Sequence, residues 1–281
     1  MTGFVGYSAG GIPYARLSRS GPPLVVITGS ELEHRPPTWT ARTGFRLGLG
    51  RLTRRFTVYL TSRRPGMPAG WTARDMGADV AGLVRDEVGD GPVHVMGMSS
   101  GGSSAMHLAA DHPELVDRLV LAMTAHRLTD HGRRVAEAWR DLALAGDWPA
   151  LHRRMGVDVA EGAVPERIVE LGMRLFGRAL LGRPRSGLDL ATVLDADIGL
   201  EVAGSLGLIT APTLVVGGAA DPFYGPDHIA ETARLIPGAR LCLLPGGHAV
   251  VKQRRRAFET AVLDFLLEGA ATSGGARGAG R

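Results

Sequence analysis

The chain of 281 residues has one cysteine, few aromatic residues and no long apolar run. Cys242 therefore cannot form a disulfide within the chain, and the apolar run 241–244 around it predicts a buried core thiol. No apolar run approaches the roughly 18 residues that are needed to cross a bilayer. The first residues also lack the basic and apolar regions of a secretory signal. We therefore expect a cytoplasmic protein that has no membrane partner.

Lysine is nearly absent as well, since Lys252 is the only one and arginine carries almost all of the positive charge. The net charge is +4 and the isoelectric point is near 9.8, with arginine clusters at 51–55, 63–64 and 254–256. Such clusters are compatible with a nucleic-acid surface. However, no nucleic-acid motif accompanies them, and aromatic residues, which supply stacking surfaces, make up only 5% of the chain. A solvated surface is the better interpretation, so no nucleic-acid partner is expected.

What the chain does have is a regular alternation of short apolar runs and amphipathic segments. A hydrophobic content of 44% is typical of a globular protein. The alternation predicts an α/β fold with a mostly parallel sheet flanked by helices. The continuous apolar character of the runs indicates strands that are buried on both faces. The predicted strands are 24–27, 56–60, 93–96, 119–121, 213–216 and 241–244.

One long segment, from about residue 124 to residue 208, shows helical patterns without a clear strand. We interpret 124–208 as a helical cap inserted into a core formed by 1–123 and 209–268. The glycine-rich residues 269–281 are predicted to be a disordered tail. Apolar side chains at helical spacing in the cap are expected to pack mainly as its own core, and a few of them to face a pocket. The two groups are Trp139, Leu142, Leu144 and Trp148, and Ile168, Leu171, Leu175 and Phe176.

The motif Gly97-Met98-Ser99-Ser100-Gly101 follows the predicted strand 93–96 directly and precedes a helical segment. A G-x-S-x-G sequence in this context is typical of a nucleophile elbow, in which a sharp turn projects a serine above the sheet. Glycines flank the serine because a Cβ there would clash in so tight a turn. Since the chain has 40 glycines, the five residues alone are a modest signal, and their context carries the prediction.

Two partners for Ser99 follow later strands. Asp221 lies just beyond the run 213–216, and His248 lies just beyond the run 241–244. With Ser, Asp and His in this order, the chain resembles members of the α/β-hydrolase superfamily over roughly residues 12–268. The resemblance implies an α/β-hydrolase sheet with a helical cap. It also implies that Ser99 is the nucleophile, His248 the general base and Asp221 the acid that orients it. Asp227 and Asp130 remain rival candidates for the acid.

The same resemblance implies an oxyanion hole formed by two backbone N–H groups, those of Ser30 and Ser100. Many relatives carry His-Gly where this chain has Thr28-Gly29. Glu31 and Glu33 bring negative charge near this loop unless they point away or pair with an arginine such as Arg35, Arg63 or Arg64. The side chains expected to line a substrate pocket are Glu31, Trp139, Phe223 and Tyr224.

The sequence lacks the motifs that are typical of several other kinds of enzyme. A serine at the elbow, rather than an aspartate, argues against haloalkane dehalogenase and epoxide hydrolase chemistry. No histidine, cysteine and glutamate set has metal-ligand spacing, no G-x-G-x-x-G follows a strand, and no phosphate-loop motif is present. We therefore expect no metal and no cofactor.

The leading functional hypothesis is a cofactor-independent serine hydrolase that acts on a small or medium ester, thioester or similar carbonyl substrate. The same triad would also serve an acyltransferase, a C–C bond hydrolase or lyase, or a cyclising enzyme of secondary metabolism. An alternative of a different class is a non-catalytic small-molecule-binding protein on the same fold. The sequence does not indicate an oligomeric state.

Overall fold

The computed structural model describes residues 4–89, 91–160, 164–184, 186–200 and 202–268. The predicted tail, 269–281, lies outside these residues. Eight strands form one sheet in the order β1-β2-β4-β3-β5-β6-β7-β8. The pairings of β1 with β2 and of β2 with β4 are antiparallel, and all other pairings are parallel. The strands are β1 (Val5–Tyr7), β2 (Pro13–Arg16), β3 (Pro23–Ile27), β4 (Thr57–Thr61), β5 (Val93–Met98), β6 (Val116–Ala122), β7 (Thr213–Gly218) and β8 (Arg240–Leu244).

Helices follow most of the parallel strands and cover both faces of the sheet, which confirms the predicted fold class. Thr72 caps the helix that precedes β5, because its hydroxyl accepts from the Asp75 N–H while the Asp75 carboxylate accepts from the Thr72 N–H. The helices are α1 (Trp39–Gly48), α2 (Gly50–Arg55), α3 (Ala73–Leu83, extended by a π-helical turn Val84–Val88), α4 (Gly101–Asp111), α5 (Asp130–Ala145), α6 (Trp148–Ala160), α7 (Glu166–Leu181), α8 (Leu188–Ile198), α9 (Ala203–Leu206), α10 (Pro226–Leu235), α11 (Val250–Gln253) and α12 (Arg255–Leu266).

The six parallel strands β3 to β8 are the six that the apolar runs predicted, and their carboxyl ends lie along one edge of the sheet. Strands β3 to β7 are buried on both faces, as expected. The edge strand β8 is not buried on both faces, because Leu241 and Leu243, which share one face of the strand, are exposed. Cys242 is consequently half-buried rather than fully buried, and partial burial raises the pKa of its thiol.

Between β6 and β7, the described residues form helices α5 to α9 and no strand. Trp139 and Trp148 are buried in the main apolar core and Leu142 packs against it, whereas Leu144 is exposed, contrary to the prediction. The prediction that the second apolar group also packs is wrong. Helix α7 turns one apolar face to solvent, and four of its side chains are between 57% and 64% exposed. These four are Ile168, Leu171, Leu175 and Phe176.

No helix within the described residues combines the length and the apolar character that crossing a membrane requires.

Candidate active site

Ser99 lies in the turn between β5 and α4 and has a left-handed backbone with φ of 51°. Few non-glycine residues adopt this conformation, and it is held here by close packing of the turn. A Cβ on Gly97 would lie 2.6 Å from the Ala105 Cβ, and a Cβ on Gly101 would overlap the Ile27 carbonyl oxygen. Both glycines are therefore required by close approach of other atoms, as the elbow motif predicts.

The turn brings Ser99 next to the loop that follows β8. The Ser99 Oγ lies 3.0 Å from the His248 Nε2, and the His248 Nδ1 lies 2.8 Å from the Asp221 Oδ2. These distances form a continuous hydrogen-bonded line from hydroxyl to imidazole to carboxylate. The three side chains converge because β5, β7 and β8 run parallel and end at one edge of the sheet.

The Asp221 carboxylate is held rigidly and is shielded from water. Its side chain is 0% exposed, and its Oδ1 accepts from the backbone N–H groups of Phe223 and Tyr224. The aromatic rings of the same two residues contact the His248 ring, with centroid distances of 4.7 Å and 5.8 Å. The turn after β7 thus orients the carboxylate through its backbone and the imidazole through its side chains.

The rival acids lie elsewhere. Asp130 is the first residue of α5 and Asp227 lies in the first turn of α10, and both are exposed. Among the described residues, Asp221 is the carboxylate that bonds to His248.

The loop after β3, which is predicted to supply part of the oxyanion hole, is braced by a buried arginine. Arg63 is only 4% exposed and follows the end of β4. Its Nη1 donates to the carbonyl oxygens of Thr28 at 2.7 Å and of Gly29 at 2.6 Å. Its Nη2 donates to the Ser100 Oγ at 3.0 Å, and the Ser30 hydroxyl also donates to that oxygen at 3.1 Å. One guanidinium therefore joins both sides of the predicted hole.

This bracing sets the direction of the two predicted N–H donors. The Gly29 carbonyl and the Ser30 N–H belong to one trans peptide and point in opposite directions. Because the carbonyl faces Arg63, the Ser30 N–H faces away from it. The direction of the Ser100 N–H is set in the same way by its own peptide. The Ser99 carbonyl accepts from the Gly102 N–H, so the Ser100 N–H points away from Gly102. Within the described residues neither donor has a hydrogen-bond acceptor, which leaves both available to a ligand.

A cavity of about 210 Å³ lies beside Ser99 and His248. Its walls are mainly apolar and come from the turn after β7 and from helices α5, α6 and α8. Three of the four predicted pocket residues line it, namely Trp139, Phe223 and Tyr224. Burial and the nearby carboxylates of Asp197 and Asp221 raise the pKa of Tyr224 well above its usual value, so its hydroxyl stays protonated.

Glu31, the fourth predicted pocket residue, does not line this cavity. It lies in a separate depression together with Glu33 and Arg35. Glu33 pairs there with Arg35, and the Arg63 guanidinium acts on the Glu31 carboxyl, whose pKa burial raises. The carboxylates of this loop therefore lie outside the Ser99 cavity, where Arg35 compensates Glu33 and Arg63 acts on Glu31.

Asp197 is a cavity residue that the sequence interpretation missed. It is 7% exposed, and its Oδ1 accepts from the Ser103 hydroxyl at 2.6 Å. Burial raises its pKa to about 7, although Ser103 and the Arg63 guanidinium act in the opposite direction. Helical periodicity was the available signal, because Asp197 lies on the same buried face of α8 as Leu190 and Leu194.

Metal-ligating side chains do not converge in the described part of the chain, where no group of three or more His, Cys, Asp or Glu is placed to hold an ion.

Comparison with known proteins agrees with this fold. A family model described as "alpha/beta hydrolase fold" matches residues 59–154. The chain is also 34% identical, over 269 residues, to the polyketide synthase ThaQ of Burkholderia thailandensis. That match covers 91% of this chain and 12% of the synthase, so the chain spans about an eighth of this relative's length.

Solved structures resemble the whole architecture. An enol-lactonase from Burkholderia xenovorans superposes with a TM-score of 0.73 at 22% identity, covering 92% of this chain and 98% of the other. A hydrolase from Pseudomonas aeruginosa superposes with a TM-score of 0.70 at 26% identity, covering 94% of this chain and 98% of the other. The sheet and its flanking helices are therefore shared with these enzymes over nearly their full length.

Proposed function

The chain belongs to the α/β-hydrolase superfamily, and from this membership we propose that it is a cofactor-independent serine hydrolase. The substrate is an ester, a thioester or a similar carbonyl compound. The observation that carries the proposal is the hydrogen-bonded line from Ser99 through His248 to buried Asp221, which ends in a largely apolar cavity.

The first half of the reaction forms an acyl-enzyme. His248 accepts the Ser99 proton at Nε2 while the Ser99 Oγ bonds to the substrate carbonyl carbon. Asp221 stabilises the imidazolium through the 2.8 Å contact at Nδ1. The carbonyl oxygen becomes an oxyanion, which accepts hydrogen bonds from the N–H groups of Ser30 and Ser100. The tetrahedral intermediate then collapses, and the leaving group departs with the proton from His248.

The second half releases the acid. A water molecule transfers a proton to the His248 Nε2 and its oxygen bonds to the acyl carbon. The same two N–H groups stabilise the second oxyanion. The bond from the acyl carbon to the Ser99 Oγ breaks, and the proton returns from His248 to Ser99, which restores the starting state.

We infer that residues 124–208 act as the cap that selects the substrate. Helices α5, α6 and α8 contribute Trp139, Met155 and Leu194 to the cavity wall, whereas Ser99, Asp221 and His248 all follow strands of the sheet. The reacting groups and the groups that contact the rest of the substrate thus come from different parts of the chain.

A second candidate function is favoured by the similarity to a segment of a polyketide synthase. An enzyme that receives a carrier-bound acyl chain uses the same acyl-enzyme and replaces water by a hydroxyl of another molecule or of the chain itself. The products are then a transferred ester or a lactone. A purely binding role is disfavoured, because it does not require a serine, an imidazole and a carboxylate in line.

A fluorophosphonate probe, which phosphonylates activated serines, tests the proposed function. Wild-type protein is expected to be labelled, and Ser99→Ala is expected to abolish labelling because the Ser99 hydroxyl is the one that lies 3.0 Å from the His248 Nε2. Ser104→Ala is the matched control, since Ser104 is buried in α4 one turn beyond the elbow. Folded wild-type protein that resists labelling would overturn the proposal.

Turnover then separates hydrolysis from transfer. A hydrolase is expected to release p-nitrophenol continuously from esters of graded acyl length. Strong labelling with a single burst of p-nitrophenol, followed by turnover only when an alcohol is added, would favour the second candidate.

A further inference from the structure

Asp197 places a buried carboxyl group in the wall of the Ser99 cavity, where a wholly apolar substrate would have no use for it. It lies on α8 among buried apolar side chains and is 7% exposed, yet it lines the cavity together with Leu194, Met155 and Trp139. A buried carboxyl weakens the packing of an apolar ligand, because desolvating it without a partner is unfavourable. A carboxyl in this position is therefore informative about what the cavity holds.

Only half of the carboxyl is used within the protein. Its Oδ1 accepts from the Ser103 hydroxyl at 2.6 Å, and that hydroxyl also lies 3.1 Å from the Ser100 carbonyl oxygen. For the Oδ2 of Asp197, the described residues supply no hydrogen-bond donor. A carboxylate oxygen has two lone pairs, so this atom offers an acceptor that remains to be satisfied from the cavity.

The charges around Asp197 select the kind of donor. The Arg63 guanidinium acts on Asp197 and on Glu31, and Tyr224 adds a protonated phenol on the cavity side. A ligand ammonium group would be repelled by Arg63. A hydroxyl fits better because it donates to the ionised carboxyl and accepts from the protonated one. The pKa of Asp197, raised to about 7 by burial, makes both forms available near neutral pH.

The position of Asp197 indicates that it contacts the acyl part of the substrate rather than the leaving group. The leaving group must lie near His248, which protonates it. Asp197 bonds instead to Ser103, and Arg63, which acts on it, binds the loop of Thr28 and Gly29 on the oxyanion side. Ser103 lies in the first turn of α4, four residues after Ser99. A substrate group that binds Asp197 is therefore separated from the reacting carbonyl by part of the acyl chain.

We propose that Asp197 binds a hydroxyl group on the acyl chain of the substrate, so that the cavity selects hydroxylated acyl esters or thioesters. This inference rests on the proposed serine hydrolase function for its kinetic test, and a binding test keeps the two separable.

The kinetic test compares p-nitrophenyl hexanoate with the 3-hydroxyhexanoate and 6-hydroxyhexanoate esters. Wild-type protein is expected to show a kcat/KM at least about tenfold higher for one of the hydroxylated esters, since hydrogen bonds to charged groups are the stronger ones. Asp197→Leu is expected to lose this preference, which is measured within each variant as the ratio of kcat/KM for the hydroxylated ester to kcat/KM for hexanoate. Asp197→Asn, which keeps the shape and one acceptor oxygen, is expected to fall between the two.

Asp195→Asn is the matched control, because Asp195 lies on the same helix and pairs with Arg140 outside this cavity. It should leave the preference unchanged. Equal kcat/KM values for all three esters in wild-type protein, or a preference that survives in Asp197→Leu and Asp197→Asn, would overturn the inference.

The binding test uses Ser99→Ala, which cannot turn over, and measures the affinity for the same three esters by calorimetry. Tighter binding of a hydroxylated ester that is lost in the double variant Ser99→Ala/Asp197→Leu supports the inference, even if fluorophosphonate fails to label wild-type protein. Equal affinities overturn it, even if labelling succeeds. The failure of one proposal is thus distinguishable from the failure of the other.

Discussion

Replacing Arg63 tests how the proposed oxyanion hole is held in place. In the Arg63→Met variant the carbonyl groups of Thr28 and Gly29 lose donors at 2.7 Å and 2.6 Å, and Ser100 loses one at 3.0 Å. The peptide between Gly29 and Ser30 is then free to rotate, so the Ser30 N–H spends less time directed at the oxyanion. We expect the loss to fall mainly on kcat and to leave KM little changed, because the oxyanion exists only after the serine has attacked.

The magnitude follows from what one donor contributes. Removing one oxyanion-hole donor lowers kcat by about 10²–10³-fold. Arg63 only positions a donor, and the loosened peptide still reaches the productive orientation part of the time. A loss of about 10–10²-fold in kcat is therefore expected. Stability is expected to fall as well, since each buried carbonyl left without its donor costs about 1–3 kcal/mol.

The assay is steady-state turnover of a p-nitrophenyl ester, with urea unfolding measured in parallel. Arg63→Lys keeps the charge but loses the planar guanidinium with its several N–H donors, so its kcat should lie between those of Arg63→Met and wild type. Arg64→Met is the matched control, because Arg64 binds the Gly10 carbonyl and Asp79 away from the loop. A wild-type kcat in folded Arg63→Met, or an equal loss in Arg64→Met, would refute the reasoning.

Three further predictions concern the elbow, the acid and the buried carboxyl. Asp221→Asn is expected to lower kcat by about 10³–10⁴-fold without unfolding the protein, because an amide no longer holds the required imidazole tautomer; steady-state kinetics and circular dichroism check this. Gly101→Ala is expected to lower the free energy of unfolding in urea by about 3 kcal/mol or more, since its Cβ would overlap the Ile27 carbonyl. Gly82→Ala is the control and should be neutral or slightly stabilising, because the space around Gly82 is open. Burial raises the pKa of Asp197 from 3.8 to about 7, so the native state retains a proton that the unfolded chain has lost, and stability falls by up to about 1.4 kcal/mol per pH unit between these values. Asp197→Asn should remove this pH dependence of the free energy of unfolding. If the difference in stability between Asp197→Asn and wild type stays the same from pH 4 to pH 7, the prediction is wrong.

The parallel part of the sheet was predictable because a strand buried on both faces needs an apolar run, and β3 to β8 each have one. Strands β1 and β2 were not predicted, because they have three and four residues and lie at an antiparallel edge. Helix α7 shows the opposite failure. Its apolar spacing predicted packing, but periodicity defines a face of a helix and does not determine what covers it.

The sequence by itself determined the groups whose spacing is local. Gly97, Ser99 and Gly101 form one tight turn, and Asp221 and His248 each follow a strand that ends at the same edge. The parallel topology then requires the side chains of Ser99, Asp221 and His248 to converge. A pattern read from neighbouring residues was therefore sufficient to predict them.

Only the tertiary structure decided what surrounds them. Arg63, Asp197 and Glu31 come from three distant segments, and their charges act on one another only because α8 and the loops after β3 and β4 pack together. The direction in which Glu31 points and the acceptor that Asp197 turns into the cavity depend on side-chain contacts across the fold. Such contacts leave no periodic or spacing signal in the chain, so the groups that brace the loop after β3 and line the cavity beside Ser99 emerged only from the folded molecule.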